Sequence, residues 1–218
     1  MMILRLKVSF LAVLFASSAM ADAIYNVAVD TTSATGTMGS LDFNFNPGPL
    51  VSQSASLQIL NFVSDGTLDG TSCPCATGDV SGTLPGTLTF DNGTAFNDYF
   101  EGFTFGTSIA FNVRLYGPAV DSPDGVSTSG STFAFSMFSD PAGTTPVLTS
   151  DNTNGFAFTV EVNRDGSTTL SNFSTEALVN QASTSTPEPG SLILSGIGLL
   201  LIAWTTIRVR RSSLPTVL

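Results

Sequence analysis

From residue 22 onward, apolar and polar residues alternate along most of the chain. Leu41, Phe43 and Phe45 are each followed by a polar residue, and a similar spacing recurs in the runs 109–115, 133–137 and 156–162. A period of two places successive side chains on opposite faces of an extended strand. Each run therefore predicts a strand with one buried face, as in antiparallel sheets that cover a core.

Turn signals separate these runs. Asp-Gly pairs occur at 65–66, 69–70, 124–125 and 165–166, and such pairs mark tight turns. The pair at 165–166 joins two runs so closely that it predicts a hairpin with a type I′ turn. No amphipathic helix is predicted. We expect an all-β domain over residues 22–180, an antiparallel β-sandwich or jelly-roll-like fold. Its expected strands are 23–30, 37–46, 54–63, 78–82, 86–90, 99–105, 108–116, 131–139 and 155–163, with a tenth at 167–173.

The first 21 residues have the pattern of a secretory signal peptide. Arg5 and Lys7 precede an apolar run at 8–16, and Ala19-Met20-Ala21 supplies the small residues at a cleavage site. We expect export through the secretion translocon and cleavage by signal peptidase after Ala21, with Ala23 as the second choice. The alternative is an uncleaved N-terminal anchor, which the shortness of the apolar run disfavours.

The other end of the chain changes composition abruptly. A Ser/Thr/Pro linker at 181–190 contains Pro187, Glu188 and Pro189, and it is followed by an apolar stretch at 191–207 and a basic tail at 208–218. The apolar stretch predicts one transmembrane helix, and the arginines predict a cytoplasmic tail by the positive-inside rule. The predicted anchor residues are Leu192, Ile193, Leu194, Leu199, Leu200, Leu201 and Trp204, and the basic stop is Arg208, Arg210 and Arg211.

This order of segments resembles the PEP-CTERM sorting signal of Gram-negative bacteria. The resemblance implies recognition by an exosortase, processing near the Pro-Glu-Pro motif, and a place at the cell surface or in the extracellular matrix, associated with exopolysaccharide and biofilm. The alternative is a plain single-pass anchor behind a Pro-Glu-Pro linker. A further stretch, Gly82 to Gly106, resembles a family of uncharacterised PEP-CTERM proteins, from which no activity carries over.

Charge and composition exclude several functions. Two arginines against 17 acidic residues give the span from Asp22 to Glu188 a formal charge of −15, so a nucleic-acid partner is not expected. The chain has no histidine, and its one lysine lies in the signal peptide, which removes the usual partners of a nucleophile. We therefore predict a non-enzymatic protein with no catalytic residues. The alternative is a small secreted glycoside hydrolase that uses a pair among Glu101, Glu161 and Glu176.

Two smaller features carry further hypotheses. Oxygen-bearing side chains at Asp91, Asn97, Asp98 and Glu101 have the chemistry of calcium ligands, so a calcium-dependent carbohydrate-binding module is a second alternative; the other interpretation is turn residues and solvated acids, without a cofactor. Cys73 and Cys75 flank Pro74. After export they predict a strained local disulfide, while intermolecular pairing stays open.

Overall fold

The computed structural model describes residues 22–70 and 75–182, and these residues fold into antiparallel β-sheet. The predicted all-β class is confirmed. The strands are β1 (Ala23–Asp30), β2 (Met38–Pro47), β3 (Ser56–Ser64), β4 (Thr67–Leu68), β5 (Cys75–Thr77), β6 (Val80–Ser81), β7 (Leu88–Asp91), β8 (Asp98–Thr104), β9 (Ser108–Tyr116), β10 (Ser131–Phe138), β11 (Phe156–Val162), β12 (Thr168–Asn172) and β13 (Ala177–Gln181). A 3-10 turn (Thr32–Ala34) and one short helix, α1 (Pro118–Asp121), complete the described elements.

The expected strands all occur, with ends that differ by about two residues at most. The prediction misses β4, β5 and β13, and it also misses helix α1. Strand β13 extends to Gln181, one residue into the predicted linker. Within the two described ranges, no helix is long and apolar enough to cross a membrane.

The strands form two sheets. The first has the order β13-β1-β9-β3-β7-β6, and the second has the order β12-β11-β10-β2-β8-β4, with β5 also pairing with β8. Alternate residues of β1, β9 and most of β2 are buried between the sheets, as the period of two predicts, whereas β10 and β11 are buried along most of their length. The result is the predicted two-sheet sandwich, and its inner faces meet in one hydrophobic cluster.

The centre of the cluster consists of phenylalanine rings from both sheets. Phe111 on β9 of the first sheet lies 5.5 Å from the ring centroid of Phe43 and 5.1 Å from that of Phe135. It also stacks on Phe158 at 6.4 Å. These three partners lie on β2, β10 and β11 of the second sheet, so the ring of Phe111 joins the two sheets. Tilted and edge-to-face rings at these distances are favourable and carry no polar atom to satisfy.

The hairpin between β11 and β12 is present, but the predicted type I′ turn is wrong. A type I′ turn needs positive φ at both central residues, whereas Gly166 is the one residue of this turn with positive φ, at 80°. The Gly166 N–H donates to the Asn163 carbonyl at 3.0 Å, and the Asn163 N–H donates to the Ser167 carbonyl at 2.8 Å. The loop therefore has three residues, 164–166, which is one more than in a type I′ hairpin, and it needs glycine at its left-handed position.

The two ends of the described domain lie together. The Ala182 N–H donates to the Ile24 carbonyl at 2.7 Å, which continues the pairing of β13 with β1. Nearby, the Tyr25 hydroxyl and the Thr168 hydroxyl are 2.6 Å apart, which links this corner to the start of β12 in the opposite sheet. Residues 22 and 182 therefore mark the same end of the sandwich as the β11–β12 hairpin.

We predict that Phe111→Ala lowers the free energy of unfolding by about 3–5 kcal/mol, because it leaves a cavity at the junction of both sheets. Phe96→Ala is the matched control, since that ring is 52% exposed, and its expected cost is below about 1 kcal/mol. Urea unfolding followed by far-UV circular dichroism measures both. Equal losses in the two variants would contradict a cross-sheet role for Phe111.

Candidate functional site

A polar cleft opens at the end of the sandwich that carries the β11–β12 hairpin. Its volume is about 820 Å³, within the usual range of ligand sites. Three segments form its walls: the residues after β2, the loop 123–130 with the start of β10, and the end of β11 with its hairpin. The charged side chains that line it are Glu161, Arg164 and Asp165.

Two glycines allow these segments to approach closely. A Cβ atom at Gly130 would lie 2.1 Å from the Val162 carbonyl oxygen, and a Cβ atom at Gly48 would lie 1.9 Å from the Ser129 hydroxyl. The Gly48 N–H donates to the Gly130 carbonyl at 2.8 Å. Larger residues at either position would push the walls apart, so the sequence itself maintains this end of the fold.

Several polar groups in the cleft are not used by the fold. Glu161 points outward from β11 between Thr132 and Thr169 on the neighbouring strands. Within the described residues the Glu161 carboxylate has no hydrogen-bond partner. The guanidinium of Arg164 is exposed and also has no hydrogen-bond partner there, although it interacts electrostatically with Asp165. The amide nitrogen of Asn163 donates to Ser167 and Thr169, which leaves its Oδ1 open.

Acidic residues elsewhere contrast with these. Asp65 accepts hydrogen bonds from the Thr107 hydroxyl at 2.7 Å and from the backbone of Thr107 and Ser108, and these bonds lower its pKa. Asp124 accepts from the backbone and the hydroxyl of Ser127, which likewise lowers its pKa. Such carboxylates close turns and satisfy backbone donors, so they account structurally for much of the acidic composition.

The four predicted calcium ligands do not converge. The Asp91 carboxylate accepts a hydrogen bond from the Ser56 hydroxyl. Asn97 is fully buried, and its amide bonds to the carbonyls of Phe45 and Thr94. Asp98 and Glu101 lie on opposite faces of β8, because they are three positions apart in a strand. In residues 22–70 and 75–182 no group of three His, Cys, Asp or Glu residues is placed to hold a metal.

Glu101 is instead a buried polar link at the edge of the core. Its exposed fraction is 5%. One carboxylate oxygen accepts from the Gly70 N–H at 3.0 Å, and the other accepts from the Tyr99 hydroxyl at 2.8 Å. The same hydroxyl accepts from the Leu84 N–H at 3.2 Å. Burial raises the pKa of Tyr99 to about 12, so the hydroxyl stays a donor to Glu101.

We predict that Glu101→Ala lowers the free energy of unfolding by about 2–4 kcal/mol, because it leaves the Gly70 N–H and the Tyr99 hydroxyl buried without an acceptor. The matched control is Glu176→Ala, whose carboxylate is half-buried and bonds to Ser174; its expected cost is about 0.5 kcal/mol. Thermal unfolding with calcium and with EDTA checks the alternative. A calcium-dependent shift in the wild type that disappears in Glu101→Ala would make Glu101 a metal ligand instead.

A pair of aspartates on the outer face of the second sheet has a different character. Asp42 on β2 and Asp98 at the start of β8 are diagonal neighbours, because Asn44 lies opposite Asp98 in the register. The Oδ1 atom of Asp98 is buried without a partner among the described hydrogen bonds. Burial and the neighbouring Asp98 carboxyl raise the pKa of Asp42 to about 9, and burial also raises the pKa of Asp98. The two carboxyls therefore share a proton at neutral pH.

Among residues 22–70 and 75–182, no cation contributes to the pKa of either carboxyl. Strand β10 contributes Ser136 opposite Asp42, and β8 contributes Phe100. The Asn44 side-chain amide, on the same strand, donates a hydrogen bond to Oδ1 of Asp42 at 2.8 Å. One amide hydrogen bond offsets part of the cost of a charge here, and protonation removes the remainder.

We predict that Asp42→Asn stabilises the protein at neutral pH. The folded state binds more protons than the unfolded state between about pH 4 and about pH 9, so this pair's contribution to stability falls as pH rises through that window, by up to about 1.4 kcal/mol per pH unit. Asp42→Asn should flatten this dependence and raise the melting temperature at pH 7, measured by thermal unfolding from pH 4 to 9. Glu161→Gln, an exposed acid, serves as control. An unchanged pH slope in Asp42→Asn would contradict the shared proton.

Several sequence predictions fall on residues outside the described ranges. These are the cleavage site at Ala19 and Ala21, the sorting motif at Pro187, Glu188 and Pro189, the membrane helix with Trp204, the basic stop at Arg208, Arg210 and Arg211, and Cys73. The Cys75 side chain also lies outside them, so the disulfide stays a prediction.

Beside this all-β sandwich the chain carries a recognised sorting signal. The family model of the PEP-CTERM protein-sorting motif matches residues 185–211. The match confirms the resemblance drawn from the order of the C-terminal segments, and such a motif implies export, processing by an exosortase and membrane-associated sorting to the cell surface. The matched residues do not include Gly82 to Gly106, so the second resemblance stays a prediction. No curated protein and no solved structure matches the chain.

Proposed function

We propose that the chain is a non-catalytic protein of the cell surface or extracellular matrix, associated there with exopolysaccharide. The observation that carries the proposal is the PEP-CTERM motif at 185–211, attached to a β-sandwich. The motif directs delivery, and the sandwich is the part that is delivered. In this proposal the membrane helix is a temporary anchor, and the final location follows exosortase processing.

The positions of the glutamates support the absence of catalysis. Glycosidases place two carboxyl groups about 5–9.5 Å apart around one bond. Glu101 on β8 and Glu161 on β11 are separated by β10 and β2, which is about 14 Å at the usual strand spacing. Glu101 also faces the core, whereas Glu161 faces outward. Glu176 lies at the end of the sandwich opposite to Glu161, where the Glu176 carbonyl accepts a hydrogen bond from the Asp30 N–H.

The aspartate pair does not provide an alternative. Asp42 and Asp98 are diagonal neighbours on adjacent strands, and burial raises the pKa of both carboxyls. Their environment also keeps a proton on the pair, which is the wrong state for a nucleophile or a general base. The arrangement favours a structural role for both residues.

The start of the domain supports the proposed signal-peptide cleavage after Ala21. Asp22 accepts a hydrogen bond from Arg114 Nε at 2.6 Å, and Arg114 also donates to Gln58 at 3.0 Å. Ala23 begins β1 and is buried. Cleavage after Ala23 would remove the ion pair and the first strand residue, so the fold favours a mature chain that begins at Asp22.

We predict that the surface-exposed form of the protein begins at Asp22 and lacks residues 192–218 in cells with the exosortase. Cells without the exosortase should retain 192–218, with the same first residue. Intact-mass analysis of protein from both strains measures both ends at once. A chain that keeps 192–218 in both strains would refute processing, and a chain that begins at Ile24 would refute the first cleavage site alone.

A further inference from the structure

We propose that the cleft lined by Glu161, Asn163 and Arg164 binds an uncharged, hydroxyl-rich polysaccharide chain. This inference rests on the proposed function, since it names the partner and the part of the sandwich that contacts it.

The open groups of the cleft complement sugar hydroxyls. A hydroxyl both donates and accepts a hydrogen bond, so a site for it needs acceptors and donors side by side. The carboxylate of Glu161 and the Oδ1 of Asn163 are acceptors, and the guanidinium of Arg164 is a donor. The hydroxyls of Thr128 and Thr132 also line the cleft, and among the described residues neither has a hydrogen-bond partner.

The cleft also offers some apolar surface, which suits the C–H faces of a sugar ring. Pro49 and Pro123 line it. Near them in the chain, the aliphatic side chains of Leu50 and Val126 are exposed to 67% and 78%. A pyranose has polar edges and less polar faces, so both kinds of surface can contact it.

The charge of the domain selects against acidic polymers. Within 22–182 there are two arginines and 16 acidic residues, and Arg114 is already paired with Asp22. The cleft itself holds two carboxylates against the one guanidinium of Arg164. A polyanion would meet net repulsion here, whereas a neutral chain would not.

The test measures binding of defined oligosaccharides to the full chain in detergent by isothermal titration calorimetry. The neutral probes are cellohexaose, xylohexaose and mannohexaose, and the acidic probe is hexagalacturonate. We expect at least one neutral probe to bind, and hexagalacturonate to bind more weakly. Glu161→Gln and Arg164→Ala should each weaken the neutral probe about tenfold, a loss typical of removing a hydrogen bond to a charged group.

Glu176→Gln is the control, because Glu176 lies at the other end of the sandwich. The affinity of this variant for the neutral probe should equal that of the wild type. Thermal unfolding verifies that all variants are folded. Neutral binding that both cleft variants leave unchanged would overturn the site while the proposed matrix association stands. Tighter binding of hexagalacturonate would overturn the uncharged class. Binding of none of the neutral probes at millimolar concentration would overturn the inference, while the mass analysis of processing decides separately on delivery.

Discussion

Packing of phenylalanine rings between the two sheets is the interaction on which this fold depends. Phe111 projects from the first sheet among Phe43, Phe135 and Phe158 of the second. Each sheet alone would expose an apolar face, and the domain contains only two arginines that could form ion pairs between the sheets. Burial of aromatic area must therefore supply most of the stability. The positions of the loops, including the walls of the cleft, follow from the register that this packing imposes.

The second constraint is an acidic domain that has almost no cations. Repulsion among 16 carboxyl groups in residues 22–182 would oppose folding if all of them were left in fields of like charge. The structure reduces this cost in two ways. Asp124 places its charge against backbone N–H groups of its own turn, and Asp65 places its charge against the backbone N–H groups of Thr107 and Ser108. Burial and the neighbouring carboxyl raise the pKa of Asp42, and burial raises the pKa of Asp98, so this pair retains a proton. Turn chemistry and proton uptake thus replace salt bridges.

Much of the fold could be predicted because the strands are long enough to show a period of two. The strands that the prediction missed show where the period of two cannot be recognised. Strands β4 and β5 have two and three residues, which is too short for any period. Strand β13 carries Leu178 on its outer face, 62% exposed, so its alternation of apolar and polar residues is broken. On β3, Asn61 has a φ of 55° at a bulge, which brings its amide to Asn112; no local pattern indicates such a bulge.

Sites were harder to predict than strands for a different reason. The calcium hypothesis grouped residues by their distance along the chain, but strand parity sends Asp98 outward and Glu101 inward. The Asp42–Asp98 pair joins residues 56 positions apart in sequence, and it exists only through the pairing of β2 with β8. The cleft likewise combines segments near 48, 130 and 163. Of the charged residues in the cleft, Glu161 alone shows a local sequence pattern, which is an acid on the outward face of a strand.

Composition then connects delivery to what the delivered domain can bind. A chain without histidine, and without lysine between residues 22 and 218, has few ways to hold a strongly charged or reactive ligand. In residues 22–182 the remaining donors are hydroxyls, amides, backbone N–H groups and two guanidinium groups. Such donors are individually weak and suit ligands that offer many equivalent polar groups, because repeated contacts along a polymer add up even when each is small. In the proposed function the domain meets such a polymer outside the cell, and contacts that are individually modest are then sufficient. A preformed cleft with both donors and acceptors is a simple structure that provides them.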